Sequence, residues 1–305
     1  MLALIAGQGS LPTLICQRLE EQGESFLLAE MEGHPSDCSA GREVLRFRVE
    51  KLGSLFKDLK KRGVTQVCLA GRVARPVIDP KALDMATLPL VPRMMRAINS
   101  GDDGVLRETL ALFQEKGFAV RAAHELLPDL LPNAGVPTHA QPPEAARRDA
   151  ARGEAIVAAL GAADVGQACV VARGQALAVE ALLGTDWMLR SLAARGRSPE
   201  AQDRVARITA LAGDLAAQHP AGDGPEAPLD LPSGGMLFKA PKPGQDRRVD
   251  LPTIGPLTVL LAARAGLDGL VLEAGGVMVL DLPLVLRMLD AGGMYLWVRP
   301  AGETE

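Results

Sequence analysis

Aromatic side chains are scarce: 3% of the chain, with one Tyr (Tyr295) and two Trp (Trp187 and Trp297). Stacking platforms for single-stranded nucleic acid need several such rings on one surface, so the sequence argues against that class. Nor is there a basic excess. The formal charge of −4 gives no general attraction to nucleic acid or anionic lipid. The four cysteines, Cys16, Cys38, Cys68 and Cys169, are far apart and form no CxxC pair. This speaks against a zinc ribbon or a disulfide scaffold and fits a reducing compartment. Cys68 and Cys169 sit inside apolar runs and read as small buried hydrophobes. No stretch approaches the roughly 20 apolar residues that span a bilayer. The N-terminus, Met-Leu-Ala-Leu-Ile-Ala-Gly, has no basic region ahead of its short apolar run and does not read as a signal peptide. The expectation is a cytoplasmic protein with no nucleic-acid partner.

What is present is the material of a packed globular protein: 305 residues, 48% of them hydrophobic and 23% charged, a comfortable length for two domains. Residues 1–128 alternate strand and helix signals. Apolar runs at 2–6, 26–29, 67–70 and 118–122 read as strands, and residues 11–21, 52–59 and 105–116 read as helices stopped by Gly23, Gly63 and Gly117. That alternation predicts a Rossmann-like parallel sheet, whose ligands sit at the carboxyl ends of its strands. Residues 129–143, rich in proline, read as a linker. From 144 to 305 a mixed α/β domain is predicted. It has an Ala-rich helix at 145–160, a hairpin at 167–181 turning at Arg173-Gly174, and a helix at 185–194 with Thr185 as its cap and Asp186 in its first turn. Residues 196–232 read as an insertion with a helix near 200–217. The fold class is therefore α/β throughout.

The most specific segment is Lys239-Ala-Pro-Lys-Pro-Gly-Gln-Asp-Arg-Arg-Val-Asp250-Leu-Pro-Thr-Ile-Gly-Pro256. Two Lys, two Arg and two Asp are spaced there by four Pro and two Gly. Neither a helix nor a central strand runs through that many prolines. The charges therefore sit on a stiff loop, suited to holding phosphate oxygens with cations while a carboxylate acts on water or a metal. Gly7-Gln-Gly-Ser-Leu-Pro12 follows the first strand and opens a helix, where backbone N–H groups can meet a phosphate. The dinucleotide fingerprint wants a third Gly where Pro12 stands, which tells against a nicotinamide cofactor and leaves nucleotide binding or a structural turn. Glu30 closes the second strand, where a ribose-binding acid would sit. Arg72 and Arg75 follow the third strand and suit a bidentate clamp on phosphate. Gly101-Asp-Asp103 precedes a helix and offers one Asp as a cap and one for a metal or ribose. His124 stands at the end of the strand that closes the first half.

Together these motifs resemble a known family. Gly-x-Gly-x-Leu-Pro at 7–12, Ala-Gly-x-Val-x-Arg-Pro at 70–76, Gly-Asp-Asp at 101–103, Asp-Val-Gly-Gln at 164–167, Glu-x-x-x-Gly-Thr-Asp at 180–186 and the long motif at 239–255 stand in the order found in LpxI-type UDP-2,3-diacylglucosamine pyrophosphatases. The resemblance spans nearly the whole chain; residues 196–232 are longer than that family leads one to expect. It implies hydrolysis of an acylated UDP-sugar to UMP and 2,3-diacylglucosamine 1-phosphate (lipid X) in lipid A biosynthesis. It also implies Mg²⁺ or another divalent cation, two domains with substrate between them, a homodimer, and peripheral contact with the inner membrane. The essential aspartate falls on Asp250, as catalytic residue and metal ligand. Substrate contacts fall on Gly9, Ser10, Leu11, Arg72, Arg75, Asp103, His124, Gln167, Thr185, Asp186, Lys239, Lys242, Gln245 and Thr253. An ordinary Asp, with a pKa of about 3.9, is a weak base at neutral pH, so metal ligation suits Asp250 better than proton abstraction. The alternatives are a non-catalytic sugar-nucleotide sensor or carrier and, more weakly, an NAD-linked oxidoreductase.

Overall fold

The computed structural model describes residues 1–74, 77–99, 102–193, 198–220 and 231–302. The chain divides into two compact units. The first is Met1–Pro128 with Asp246–Asp250, and the second is Asp129–Gln245 with Leu251–Glu305.

In the first unit the elements run β1 (Leu2–Ala6), α1 (Ser10–Glu21), β2 (Phe26–Met31), β3 (Val44–Phe47), α2 (Leu52–Lys61), β4 (Gln66–Ala70), α3 (Val91–Asn99), α4 (Asp102–Glu115), β5 (Ala119–Val120) and α5 (Ala123–Leu126). The strands form one parallel sheet in the order β3-β2-β1-β4-β5. Successive strands are added on one side of β1 up to β3 and on the other side from β4 on, and in open parallel sheets the carboxyl ends of the strands at such a switch point, here β1 and β4, are where ligands bind. Three of the six phenylalanines, Phe56, Phe113 and Phe118, meet in the core with ring centroids 5.0–6.2 Å apart. Phe118 is therefore packed before the strand starts, and the strand expected over 118–122 shortens to two residues. His124 consequently stands in α5 rather than at a strand end.

The second unit runs α6 (Glu144–Ala162), β6 (Ala168–Ala172), β7 (Gln175–Val179), α7 (Gly184–Ser191), α8 (Pro199–Ala212), α9 (Asp214–Gln218), β8 (Met236–Lys239), β9 (Thr253–Ile254), α10 (Pro256–Arg264), β10 (Gly269–Glu273), β11 (Met278–Val279), α11 (Leu282–Gly292) and β12 (Tyr295–Arg299). Its main sheet has the order β12-β10-β8-β6-β7. β8, β10 and β12 are parallel, and β6 runs antiparallel to both its neighbours. Period-two alternation sorts the core. Val170, Leu237 and Leu270 face one layer with Met188, Leu260 and Met288, while Val171, Phe238 and Val271 face Ala146, Ala150 and Val157 of α6. The β6–β7 hairpin turns at Arg173-Gly174 as expected; both have positive φ, and the Asp149 carboxylate accepts from both amides. Residues 129–143 make their own ties to this unit. Gly135 and Val298 exchange both backbone hydrogen bonds, and the Thr138 hydroxyl accepts from the Leu296 amide. No helix among the described residues is long and apolar enough to cross a membrane.

Candidate active site

The glycine-rich turn after β1 is locked to the turn after β4. The Gly7 amide donates to the Ala70 carbonyl, and Gln8 and Arg72 exchange backbone hydrogen bonds of 2.8–2.9 Å. At Gly71, with φ +88°, a Cβ would stand 2.7 Å from Pro12 Cγ and 2.8 Å from the Gln8 carbonyl oxygen. This answers the missing third glycine. Pro12 occupies its place in α1, and the close approach is made possible instead by Gly71 on the facing turn. Ser10 and Leu11 open α1, and Arg72 is exposed; Arg75 lies outside the described residues. The Gly9 amide, the donor expected to face a phosphate, is already bonded to Asp37 Oδ2 at 2.6 Å. An anion at that helix end must therefore displace a carboxylate.

Glu30, read as a ribose ligand, is 2% exposed and turned inward. Burial pushes its carboxyl up, but the Ser36 hydroxyl and amide donate to Oε1 at 2.6 and 2.9 Å and bring it below the usual range. Its work is to fold the loop that presents Asp37. Asp103 stands in the first turn of α4, which begins at Asp102, so both aspartates are inside the helix.

The segment at 239–256 is an ordered strap. Pro241 packs against the Glu273-Gly276 turn, and Pro243 against Gly161. Gln245 is buried, and its Oε1 accepts from the Lys242 amide at 2.8 Å, so it shapes the loop. Lys242 reaches out to Asp164 at 2.7 Å. Asp246–Asp250 forms a tight turn, with the Val249 and Asp250 amides both donating to the Asp246 carbonyl. Arg248 grips the Asp246 carboxylate through Nε and Nη2 at 2.9 and 2.6 Å and holds its carboxyl below the usual carboxylate range. Asp246 is thus a structural member of the turn, and Asp250 closes it half-buried. After Asp250 the chain is anchored again. Leu251 is buried, the Pro252 carbonyl accepts from Met278, and β9 pairs with β11.

Lys239, expected to face phosphate, is 5% exposed and donates inward, to Thr185 Oγ1 at 2.7 Å and to the Thr253 carbonyl at 3.0 Å. Thr185 does not cap its helix. α7 begins a residue earlier at Gly184, and the Thr185 hydroxyl donates to Glu180 at 2.5 Å instead. Gln167 joins through its backbone, whose amide donates to Glu180 Oε2 and whose carbonyl accepts from Ala240. Its side-chain Oε1 is buried with no donor among the described residues, an acceptor suited to a ligand N–H or O–H. Asp186 and Thr253 are half-buried beside this group, and Thr253 Oγ1 donates to the Leu251 carbonyl. The structure therefore gathers Gln167, Thr185, Lys239 and Thr253 into one cluster. Sequence reasoning noted the acid at its centre, Glu180, as the start of the 180–186 motif but gave it no role. The signal was present: a carboxylate at a strand end, five residues before a helical Thr.

Among the described residues no three His, Cys, Asp or Glu side chains converge into a metal cage. A site built for Mg²⁺ needs none, because that ion keeps several waters and is held by one or two carboxylates with substrate phosphates. A half-buried Asp250 on a braced turn fits that donor set.

Two family descriptions match the chain end to end: the LpxI N-terminal domain over residues 1–130 and the LpxI C-terminal domain over residues 133–297. Over 299 residues the chain is 35% identical to the UDP-2,3-diacylglucosamine pyrophosphatase LpxI of Caulobacter vibrioides, covering 97% of this chain and 96% of that protein. With both domains matched and the whole length shared, the chain belongs to the LpxI family.

Proposed function

We propose that this protein hydrolyses the pyrophosphate bond of UDP-2,3-diacylglucosamine to UMP and 2,3-diacylglucosamine 1-phosphate, a step of lipid A biosynthesis. The observation that carries the reading is family membership across both domains, joined to a rigid turn that presents Asp250. Breaking a phosphoanhydride asks a protein mainly to neutralise phosphate oxygens and to hold a water in line. Arg72 is exposed at a strand end, and Lys242 pairs with the partly exposed Asp164 at 2.7 Å, two cations that would serve phosphate oxygens. Asp250 would hold Mg²⁺, which when bound supplies positive charge to the phosphate oxygens and orders water. The inward-turned Lys239 serves the same site by fixing backbone. Incubating the protein with substrate and Mg²⁺ is expected to release UMP. Binding without UMP under several divalent cations would reject the hydrolase in favour of a carrier. The proposal extends to a homodimer, on family resemblance alone, and sedimentation of the purified chain tests it.

Contact with a membrane surface completes this proposal, because a diacylated substrate resides there. Support comes from where the exposed apolar side chains are. Val165, Val179, Leu182, Leu183 and Trp187 share one corner of the second unit, with Leu182 88% and Trp187 54% exposed. The backbone of Gly166 lies against that of Glu180, which brings the two segments together. Leu183, just before α7, and Trp187 and Arg190 within it are all exposed at helical spacing. Replacing Leu182 and Trp187 by Asp is expected to cut co-sedimentation with lipid vesicles at least about fivefold, since each removes roughly 1.5–3 kcal/mol of apolar transfer. Unchanged vesicle binding by a folded variant would reject this surface.

A further inference from the structure

Glu180 is 7% exposed and was not among the residues expected to serve the site. Its two oxygens are both engaged: Oε2 accepts from the Gln167 amide at 2.9 Å, and Oε1 accepts from the Thr185 hydroxyl at 2.5 Å. Thr185 Oγ1 in turn accepts from Lys239 Nζ at 2.7 Å, and Lys239 donates to the Thr253 carbonyl at 3.0 Å. Lys239 can only donate, so Thr185 Oγ1 accepts from it and gives its own single proton to Glu180. The chain links the end of β7, the first turn of α7, the last residue of β8 and the first residue of β9. Asp250 precedes that last residue by three positions.

We propose that Glu180 is a positioning residue for the reaction: through Thr185 and Lys239 it fixes the Thr253 carbonyl, and with it the 251–254 arm that holds Asp250. The inference rests on the reading of Asp250 given above. Its geometric part stands on the hydrogen bonds alone. A Gln at position 180 cannot reproduce both bonds in their present directions. With its NH₂ toward the Gln167 amide, donor meets donor; with its NH₂ toward Thr185, the bond is reversed and the hydroxyl proton is turned away from position 180.

The test uses the full-length protein with Glu180→Gln, Thr185→Val, Thr185→Ser and the Glu180→Gln/Thr185→Val double variant. A positioning role lowers kcat by about 10–100-fold in Glu180→Gln and Thr185→Val, leaves KM within about threefold, and is rescued by Thr185→Ser. The double variant is no slower than its worse parent, because both cut one chain. Amide hydrogen exchange of Leu251, Thr253 and Ile254 speeds up in Glu180→Gln. Should that variant not fold, the Val and Ser pair at 185 carries the same measurements. Wild-type exchange at these amides together with wild-type kcat overturns the proposal, as do multiplying effects in the double variant. A wild-type protein that releases no UMP rejects the hydrolase reading instead, and the exchange rates still decide the role of Glu180.

Discussion

Asp250→Asn is expected to reduce UMP release by about 10³-fold or more, equivalent to roughly 4 kcal/mol of transition-state stabilisation, while the protein stays folded. Asn keeps the size and one acceptor of Asp but removes its charge. The turn is held by backbone bonds from the Val249 and Asp250 amides to the Asp246 carbonyl and by the ion pair of Arg248 with Asp246. The loss should therefore appear in kcat rather than in the unfolding midpoint. Asp246→Asn gives the contrast. It loosens the bidentate Arg248 contact and should reduce turnover less, with a measurable fall in stability. Retention of more than about a tenth of wild-type turnover by Asp250→Asn would remove Asp250 from its assigned role. So would a larger loss from Asp246→Asn than from Asp250→Asn. Circular dichroism of both variants separates unfolding from lost chemistry.

That ranking within one turn was legible in the sequence only in part. The prolines at 241, 243, 252 and 256 announced a stiff loop, and the structure packs Pro241 and Pro243 against glycines of the second unit. Nothing local showed that Asp246 would be spent on Arg248. The strand–helix alternation of the first unit was readable because buried strands such as β1 and β4 are continuous apolar runs. β3 was not, because it is a half-buried edge strand with Arg46 at its centre. α3 was hidden by Pro89 and Pro92, which punctuate a loop in sequence but sit in the opening turns of the short helices there. Thr185 was read by local rules as a cap. Its true partners, Glu180 and Lys239, lie 5 and 54 residues away. Likewise the Gly9 amide meets an acid 28 residues on. Composition and periodicity report which face is buried; they do not report which polar groups meet once the faces have closed.

Those long-range contacts make the second large effect a matter of stability. Gly71→Ala is expected to destabilise the first unit by about 2–5 kcal/mol. Two terms add: about 1–2 kcal/mol for an L-residue at positive φ, and about 1–3 kcal/mol for overpacking against atoms that cannot withdraw. The second term is large here because two of the nearest atoms, the Gln8 carbonyl oxygen and the Gly7 carbonyl carbon, are backbone, and the third is the ring of buried Pro12. Gly63→Ala is the control. Its φ is +76°, close to the +88° of Gly71, yet a Cβ there meets nothing within 4 Å. It should lose the backbone term alone, so the difference between the two denaturant midpoints isolates the contact between the turns. Adding Pro12→Ala to Gly71→Ala should recover only part of the loss, because the backbone contacts remain. Equal destabilisation by Gly71→Ala and Gly63→Ala would mean that the two turns are not in register as described, and the glycine that stands in for the missing third one would have to be sought elsewhere.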